Sequence, residues 1–329
     1  MKRVLITGGA GFIGYHLARN LLERDYRVDL IDNFSRGVRD NSLLELATYD
    51  RVNLLDLDLL DTSALERLEK DYDVIFHLAA IVGVSHVLKA PYDVLTKNVK
   101  LLENVIVLGK RQSCLDRLIF ASTSEVYAGT LKHFSLRIPT PEETPLAVTE
   151  LTQNRTSYML SKIYGEAMCL HSGLPVTIIR PHNFYGPRMG LSHVIPELCA
   201  KAFSSKDGKL EVFSVSHKRT FCYIDDAVEM IRLLSESEKA IGDTFNVGCQ
   251  EPERSIEEVA SKIISIVGKC LTICPQPETA GSPQRRCPDI SKTTEVTGYR
   301  PLTDLDEGLK RTFEWYKENV FMKEGPIAI

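Results

Sequence analysis

Tyr158 and Lys162 stand four residues apart near the middle of a 329-residue chain. Side chains with this spacing lie on one face of a helix, so the phenol and the ammonium would be neighbours. A free tyrosine has a pKa of about 10, and a fixed cation beside it stabilises the phenolate and lowers that value. The pair therefore predicts a general base, Tyr158, that removes a proton from a substrate hydroxyl.

Two hydroxyl side chains and a carboxylate follow one another at Thr123, Ser124 and Glu125. They come after an apolar run, residues 117–121, that is typical of a buried strand. At the end of that strand the hydroxyls are placed to hydrogen-bond the oxygen that Tyr158 deprotonates. The carboxylate of Glu125 is a candidate base for a proton bound to carbon. We therefore expect all three side chains to be catalytic.

The first strand-like run leads into a glycine-rich turn made of Gly8, Gly9, Ala10, Gly11, Phe12, Ile13 and Gly14. Glycines let the backbone turn sharply and bring its N–H groups against a pyrophosphate at the positive end of the next helix. Asp32, which ends the second strand-like run, is placed to bind ribose hydroxyls and to repel a 2′-phosphate. The pattern predicts a dinucleotide site that prefers NAD to NADP, a preference that Arg36 would weaken.

Short β-branched runs alternate with helical patterns along the chain. The predicted strands cover residues 3–7, 27–31, 52–55, 74–77, 117–121 and 176–180. The predicted helices cover residues 12–23, 63–70, 94–108, 158–171 and 304–319. This alternation predicts an α/β fold, a Rossmann-type doubly wound parallel sheet with a smaller C-terminal α/β substrate lobe. We expect two interleaved domains, at 1–180 and 181–329.

The connection at residues 128–156 has neither a helical nor a strand period and is rich in proline, threonine and glutamate. A loop of this length inside a compact domain is usually functional or mobile. Two interpretations stay open, an active-site flap and a surface insertion.

Composition excludes several functional classes. Forty basic side chains against 44 acidic ones give a net charge of −4, which provides no field for nucleic acid or an anionic membrane surface. The eight cysteines lack the spacing of a zinc site, so no metal is predicted. The sequence has no apolar run of membrane-spanning length and no signal-peptide core, so we expect a cytoplasmic protein.

Five motifs follow one another along the chain in the order of a known family. They are Thr7 to Gly14, His77 to Ala80, Ser122 to Tyr127, Tyr158 with Lys162, and Arg180 to Pro187. Together they resemble an extended short-chain dehydrogenase/reductase of the NAD-dependent epimerase/dehydratase family, whose members act on nucleotide sugars. Residues 219–226 and 283–290 resemble the substrate-lobe motifs of that family, so the resemblance covers essentially the whole chain. It implies an active site of Thr123, Tyr158 and Lys162, in which Tyr158 deprotonates a sugar hydroxyl while hydride passes to NAD.

The resemblance also implies contacts to both ligands. Besides the glycine-rich turn and Asp32, the implied cofactor contacts are Asn33, Asp58, Leu59, Ala79, Ala80, Asn98, Tyr158 and Lys162. The implied nucleotide-sugar contacts are Val84, Ser85, Asn183, Arg219, Arg285 and Arg286. Two histidines, His86 and His182, stand near the expected sugar site where other residues are usual. The family further implies a homodimer formed by the helices at 94–108 and 158–171.

Several reaction outcomes stay open. Oxidation of the sugar at C4, followed by return of the hydride with altered stereochemistry, gives a 4-epimerase, which the sequence favours because residues 79–84 resemble the epimerases. Glu125 beside the oxidised carbon is instead consistent with a UDP-glucuronate decarboxylase or a 4,6-dehydratase. Against dehydration, Ser124 stands where the family usually has an aspartic acid. A non-catalytic dinucleotide sensor is a remote alternative, because Thr123, Tyr158 and Lys162 are all present.

Overall fold

The computed structural model of the protein describes residues 1–279 and 282–323, without the side chains of residues 84–86. The strands are β1 (Arg3–Thr7), β2 (Arg27–Asp32), β3 (Val52–Asp56), β4 (Val74–His77), β5 (Arg117–Ala121), β6 (Val176–Pro181), β7 (Phe184–Tyr185), β8 (Lys209–Phe213), β9 (Lys218–Arg219), β10 (Cys222–Tyr223), β11 (Asp243–Val247), β12 (Arg254–Ser255), β13 (Thr272–Gln276) and β14 (Arg285–Arg286). The α-helices are α1 (Phe12–Leu22), α2 (Asn41–Leu46), α3 (Thr62–Leu65), α4 (Val84–Lys89), α5 (Pro91–Lys110), α6 (Ala128–His133), α7 (Thr156–Leu170), α8 (Val194–Ser204), α9 (Ile224–Glu236), α10 (Ile256–Val267), α11 (Ser291–Thr297) and α12 (Leu305–Tyr316).

Seven parallel strands form the central sheet, in the order β11-β6-β5-β4-β1-β2-β3. Alternate side chains of β1 point to opposite faces, so Val4 and Ile6 pack with Leu17 of α1, whereas Leu5 packs with Leu102 of α5. Helices therefore cover both faces of the sheet, which confirms the predicted doubly wound α/β fold. The carboxyl ends of the strands meet along one edge, where ligands bind in folds of this kind.

Four of the predicted helices are present as α1, α5, α7 and α12. The predicted helix at 63–70 is shorter, because α3 ends at Leu65. The Asp61 carboxylate caps it by accepting hydrogen bonds from the Ser63 and Ala64 N–H groups at 3.0 and 3.1 Å. The chain then turns, and both Leu65 and Leu68 are buried. A short helix followed by a turn therefore gives the same spacing of apolar residues as the longer helix that the sequence predicts.

The connection at residues 128–156 is partly helical and partly bonded to the second lobe, and both interpretations of it stay open. Its first residues form α6, which no periodicity predicts. Further on, the N–H of Thr140 donates to the Cys287 carbonyl at 2.9 Å, and the Asp289 N–H donates to the Thr140 carbonyl at 2.8 Å. The connection is therefore hydrogen-bonded to the chain segment that directly follows β14.

The second lobe is built from β8 paired with β13, the three-stranded sheet β12-β9-β14, and α8, α10 and α12 packed around them. The chain also returns to the first lobe, because β11 joins the central sheet and α9 packs against α1. The division at residue 180 stays a prediction about lobes that share elements. Among the described helices, none combines the length and the apolar character needed to cross a bilayer.

Candidate active site

The turn between β1 and α1 forms a cradle that fits a pyrophosphate. Gly8 has a φ of +72°, a conformation that glycine adopts without strain. A Cβ atom at Gly14 would lie 2.3 Å from the Gly8 carbonyl oxygen, so a larger residue does not fit there. Gly11 provides no side-chain cap to α1, and the N–H groups of its first turn, which begins with Phe12 and Ile13, are available to an anion.

The carboxylate of Asp32 lies beside this cradle at the end of β2. Its Oδ2 accepts a hydrogen bond from the Ala10 N–H at 3.1 Å, and its Oδ1 accepts one from the Phe34 N–H at 2.8 Å. Burial raises the pKa of Asp32, and these two N–H groups lower it. Each carboxylate oxygen has a further lone pair, so Asp32 is still able to accept hydrogen bonds from ribose hydroxyls.

Two other predicted cofactor contacts lie together at the ends of neighbouring strands. Asn33 Nδ2 donates to Asp58 Oδ2 at 3.2 Å, and the Leu60 N–H donates to Asp58 Oδ1 at 2.9 Å. Leu59, in contrast, is buried in the core below the cleft, where its carbonyl accepts from Asn104 Nδ2 at 2.7 Å. Asn33 and Asp58 thus lie together where the sequence predicts the adenosine, and Leu59 packs beneath them.

The loop after β4 passes close to the glycine-rich turn and carries Ala79 and Ala80. A Cβ atom at Gly8 would lie 2.9 Å from the Ala79 backbone nitrogen. Asn98 of α5 clamps this loop, since its Oδ1 accepts from the Ile81 N–H at 2.7 Å and its Nδ2 donates to the Ile81 carbonyl at 3.1 Å. Asn98 therefore shapes the cofactor cleft through the loop.

Thr123, Tyr158 and Lys162 meet at the carboxyl end of β5. Thr123 lies close enough to the Tyr158 hydroxyl to lower its pKa. Lys162 Nζ donates to the Ala121 carbonyl at 2.7 Å and lies 5.9 Å from the centre of the Tyr158 ring. The structure brings together the three side chains that the sequence singles out for proton transfer.

The direction of the Tyr158 pKa differs from the expectation. Burial raises the pKa of Tyr158 and the Glu125 carboxylate raises it further, while the Thr123 hydrogen bond and the Arg36 charge lower it. Burial also lowers the pKa of Lys162 to about 8. The expectation rested on the lysine cation together with the positive nicotinamide ring of bound NAD. In the protein alone, the lysine ammonium is directed at the Ala121 carbonyl, and burial of the phenol is the largest effect. Without ligands, the Tyr158 phenol is protonated.

Glu125 lies in a 3₁₀ turn, Ser124–Tyr127, where Ser124 is buried. It forms an ion pair across the lobes, in which Arg286 Nη2 donates to its Oε1 at 2.7 Å. Arg286 lowers the pKa of Glu125, burial opposes this, and the charges of Arg155 and Arg219 lower it further. The carboxylate therefore stays ionised at neutral pH. It lies close enough to Tyr158 for its charge to raise the pKa of the phenol.

Two neighbouring arginines of β14 have different surroundings. Arg286 pairs in register with Arg219 of β9, and both act on Glu125. Arg285 faces the other way, because alternate side chains of a strand point to opposite faces, and it binds Glu253 at 3.0 and 2.5 Å. Of the two arginines, Arg286 is therefore the one that lies at Glu125, and the predicted substrate contacts of both stay predictions.

The remaining predicted substrate contacts have mixed outcomes. Arg219 is 8% exposed, and burial lowers its pKa to about 10. Its Nη2 donates to Ser282 Oγ at 3.0 Å and to the Pro283 carbonyl, and its Nη1 donates to the Lys218 and Gln284 carbonyls, so the guanidinium is held by the segment before β14. Asn183 Nδ2 donates to the Thr220 carbonyl at 3.0 Å, on the residue after Arg219. Val84, Ser85 and His86 lie outside the described side chains.

A buried polar network holds the catalytic turn in place. Arg180 donates to both oxygens of Glu166 at 2.9 and 2.7 Å and to the Tyr127 hydroxyl at 2.7 Å. The Tyr127 hydroxyl donates to Asn246 Oδ1 at 3.0 Å, and His182 Nε2 lies 3.0 Å from the same oxygen. Burial lowers the pKa of His182 to about 3, so His182 is neutral and belongs to the scaffold.

The sequence does not single out Arg155 as a charge at the site, and it predicts only part of the role of Arg36. Arg155 precedes Tyr158 by about one helical turn, and its charge acts on Glu125. That spacing is a signal the sequence contains. Arg36 was placed only beside Asp32, but its Nη1 donates to the Val82 carbonyl at 2.5 Å across the cleft, and its charge acts on Tyr158.

Comparison with known proteins gives consistent matches over nearly the full length. The profile of the NAD dependent epimerase/dehydratase family matches residues 4–248. The chain is 34% identical over 333 residues to the UDP-N-acetyl-alpha-D-glucosaminuronate decarboxylase of Bacillus cytotoxicus, covering 96% of this chain and 98% of the relative. It is 31% identical over 334 residues to UDP-glucuronic acid decarboxylase 1 of Arabidopsis thaliana, covering 98% of this chain and 71% of the relative.

Among solved structures, the fold is similar to that of a mutant UDP-glucuronic acid 4-epimerase from Bacillus cereus in complex with UDP-4-deoxy-4-fluoro-glucuronic acid and NAD. The TM-score is 0.83 at 28% sequence identity, with 96% of this chain and 99% of that chain covered.

Proposed function

This chain belongs to the NAD-dependent epimerase/dehydratase family, and we propose that it decarboxylates a UDP-linked hexuronate through a transient 4-keto sugar. NAD is the cofactor of this family. The observation that carries the proposal is the ion pair between Glu125 and Arg286 at 2.7 Å, beside Tyr158 and facing Arg219.

The first step is proton removal from the sugar O4. Tyr158 is the base, and Thr123, which lies beside its hydroxyl, orients the sugar oxygen. When bound, NAD accepts the C4 hydride and later returns it. Lys162 lies on the same helix face and supplies the positive charge that favours phenolate. Because its pKa is about 8, Lys162 is mostly protonated at neutral pH and able to fill this role.

The charges in the cleft favour a uronate over a neutral hexose. Arg219 and Arg286 both lie near Glu125, which is the carboxylate that acts on both of them. A substrate that brings a diphosphate and a sugar carboxylate supplies the anions that planar guanidinium groups bind best. A neutral hexose would leave part of this positive charge uncompensated.

The protonation state of Glu125 separates decarboxylation from dehydration. A carboxylate whose pKa is lowered by Arg286 is a weak base for a proton on C5, which dehydration has to remove. Decarboxylation needs no such base. Once C4 is a ketone, the C5–C6 bond breaks, CO₂ leaves, and its electron pair forms the enolate between C5 and O4. C5 then takes a proton, and Glu125 is placed to orient the water that supplies it.

A UDP-hexuronate 4-epimerase is the second candidate, and it is the outcome that the sequence alone favours. The similarity of the fold to a UDP-glucuronic acid 4-epimerase supports it. The two full-length relatives that are decarboxylases, at 34% and 31% identity, support the first candidate. Both candidates share the substrate class and the oxidation at C4.

A substrate panel tests the proposed class. We expect kcat/KM for UDP-glucuronate or UDP-N-acetylglucosaminuronate to exceed that for UDP-glucose by about 10²-fold or more, because only the uronates fill the cationic end of the cleft. Product masses from purified protein, NAD and each sugar nucleotide give both the rate and the reaction. Equal conversion of UDP-glucose would contradict the uronate assignment.

A homodimer formed by α5 and α7 is part of the proposal. The apolar stripe on α5 is buried within the chain's own core, since Leu101 is 8% exposed and Leu102 is 1% exposed. The outer faces carry other apolar side chains, with Val107 of α5 at 53% and Tyr164 of α7 at 54% exposure. Light scattering at micromolar protein concentration should give twice the chain mass, and a monomer mass would overturn the dimer.

A cytoplasmic location also stays a proposal. All eight cysteines lie in the part of the chain that the structure describes, and each is a free thiol there. Free thiols, several of them buried, are typical of proteins in a reducing compartment.

A further inference from the structure

Residues 183–188 connect the nucleotide-sugar end of the cleft to the cofactor end. At one end, Asn183 bonds the carbonyl of Thr220, and its own carbonyl accepts from the Cys222 N–H at 3.2 Å. These partners directly follow Arg219, the proposed diphosphate contact. At the other end, the segment finishes at Arg188, whose side chain is only 4% exposed and reaches into the first lobe.

Arg188 binds the loop that follows Asp32. Its Nε donates to Asp40 Oδ2 at 2.7 Å, and its Nη2 donates to the Val38 carbonyl at 3.1 Å. The guanidinium carbon lies 4.1 Å from the centre of the Tyr15 ring on α1, which is a cation–π contact. The second lobe thus holds the loop that shapes the adenosine end of the cofactor site.

This loop is tightly folded around Asp32. A Cβ atom at Gly37 would lie 2.7 Å from Asp32 Oδ1, so the backbone passes close against the carboxylate. Asp40 accepts from the Leu43 N–H at 2.9 Å and caps α2, and Arg188 binds the other oxygen of the same carboxylate. The charge of Arg188 also acts on Asp32. A movement of Arg188 would therefore shift the loop that packs against Asp32, the carboxylate proposed to bind the ribose.

Two further features set Arg188 apart from an ordinary surface arginine. Its φ is +66°, in the left-handed region that a non-glycine residue adopts only where its surroundings require it. Its Nη1 is buried and has no hydrogen-bond partner among the described residues. One N–H group of this buried guanidinium, whose charge acts on Asp32, is thus unsatisfied by the described residues.

We propose that Arg188 is a positioning residue through which the second lobe fixes the adenosine site of NAD, so that binding of a nucleoside diphosphate and binding of NAD strengthen each other. The coupling follows because one short segment contacts both sites, and any ligand that orders it at one end lowers the cost of ordering it at the other. The proposal rests on the function proposed above only in the choice of UDP as the second ligand.

The backbone of the segment has supports that do not need the Arg188 side chain. His16 Nε2 lies 3.0 Å from the Pro187 carbonyl oxygen, and the Tyr316 hydroxyl donates to the Met189 carbonyl. Arg188→Met keeps most of the apolar length of the side chain and removes its charge and donors. Arg24→Met is a matched control, since Arg24 also joins α1 to the neighbouring layer, through Glu229 at 3.2 Å, far from the cofactor.

The test measures NAD binding to the cofactor-free protein by calorimetry, with and without saturating UDP. Arg188→Met should raise the Kd for NAD by about tenfold or more, Arg188→Lys should restore part of it, and Arg24→Met should stay within about twofold. UDP should tighten NAD binding several-fold in the wild type and not in Arg188→Met. The Kd for UDP alone and the melting temperature of Arg188→Met should match those of Arg24→Met.

Equal effects of the two variants on NAD binding, or full coupling to UDP in Arg188→Met, would overturn the proposal. A general fall in melting temperature with proportional loss of both ligands would also overturn it, because that result assigns Arg188 a structural role only. Failure of the wild type to bind UDP would contradict the proposed function and the coupling, while the comparison of NAD binding between Arg188→Met and Arg24→Met would still decide the positioning role.

Discussion

Replacing Tyr158 by phenylalanine is expected to lower kcat by about 10³-fold while the affinities for NAD and for the nucleotide sugar change little. The substitution removes one hydroxyl and keeps the ring. That hydroxyl is buried beside Thr123, so its loss removes proton transfer at O4 and leaves the shape of the cleft intact. Single-turnover reduction of NAD, followed by absorbance, measures this step directly.

Tyr164→Phe is the matched control, because Tyr164 lies on the same helix and is 54% exposed. It should keep full activity. A Tyr158→Phe enzyme that retains activity within a few-fold of the wild type would show that another group is the base. The pH profile adds a second check, since the rate should rise with pH as the phenol, whose pKa is raised in the unliganded protein, loses its proton.

The second large effect is expected at Glu125. Glu125→Gln removes the charge that binds Arg286 and keeps the shape of the side chain. Hydrogen bonds to charged groups are worth about 1.5–3 kcal/mol, so decarboxylation should slow by about 10- to 100-fold. The measurement is the rate of CO₂ release from UDP-glucuronate, together with the separate rate of NAD reduction, which should change less.

Glu143→Gln, an exposed change in the nearby connection, is the control and should be neutral. A loss greater than about 10²-fold, with exchange of the C5 proton abolished, would point to a general base and therefore to elimination. Unchanged rates of CO₂ release would remove Glu125 from the mechanism.

Much of this site is predictable from local sequence because local chemistry dictates it. The glycine-rich turn requires residues without a Cβ atom, and Gly8 and Gly14 fulfil that requirement in the structure. Tyr158 and Lys162 share a helix face because their spacing is close to the helical period. The strand ends that carry Asp32 and Thr123 follow from short apolar runs in a parallel sheet.

Contacts between distant parts of the chain were not predictable in this way. Arg188 meets Asp40 across 148 residues, and no local pattern specifies that pair. The same limit applies to the Tyr158 pKa. Burial and the Glu125 carboxylate raise it, and the spacing of Tyr158 and Lys162 reveals neither effect. The opposite directions of Arg285 and Arg286, in contrast, follow from strand alternation, which the sequence would have revealed had the short strand been recognised.

The central claim is that C4 oxidation here leads to loss of the uronate carboxylate. Wild-type protein, incubated with NAD and UDP-glucuronate in D₂O, tests it most directly by mass spectrometry and NMR of the product. We predict a UDP-pentose that has lost one CO₂ and carries one deuterium at C5, since the enolate takes its proton from solvent. A product of unchanged mass, inverted at C4 and with protium retained at C5, would contradict this claim and establish a 4-epimerase.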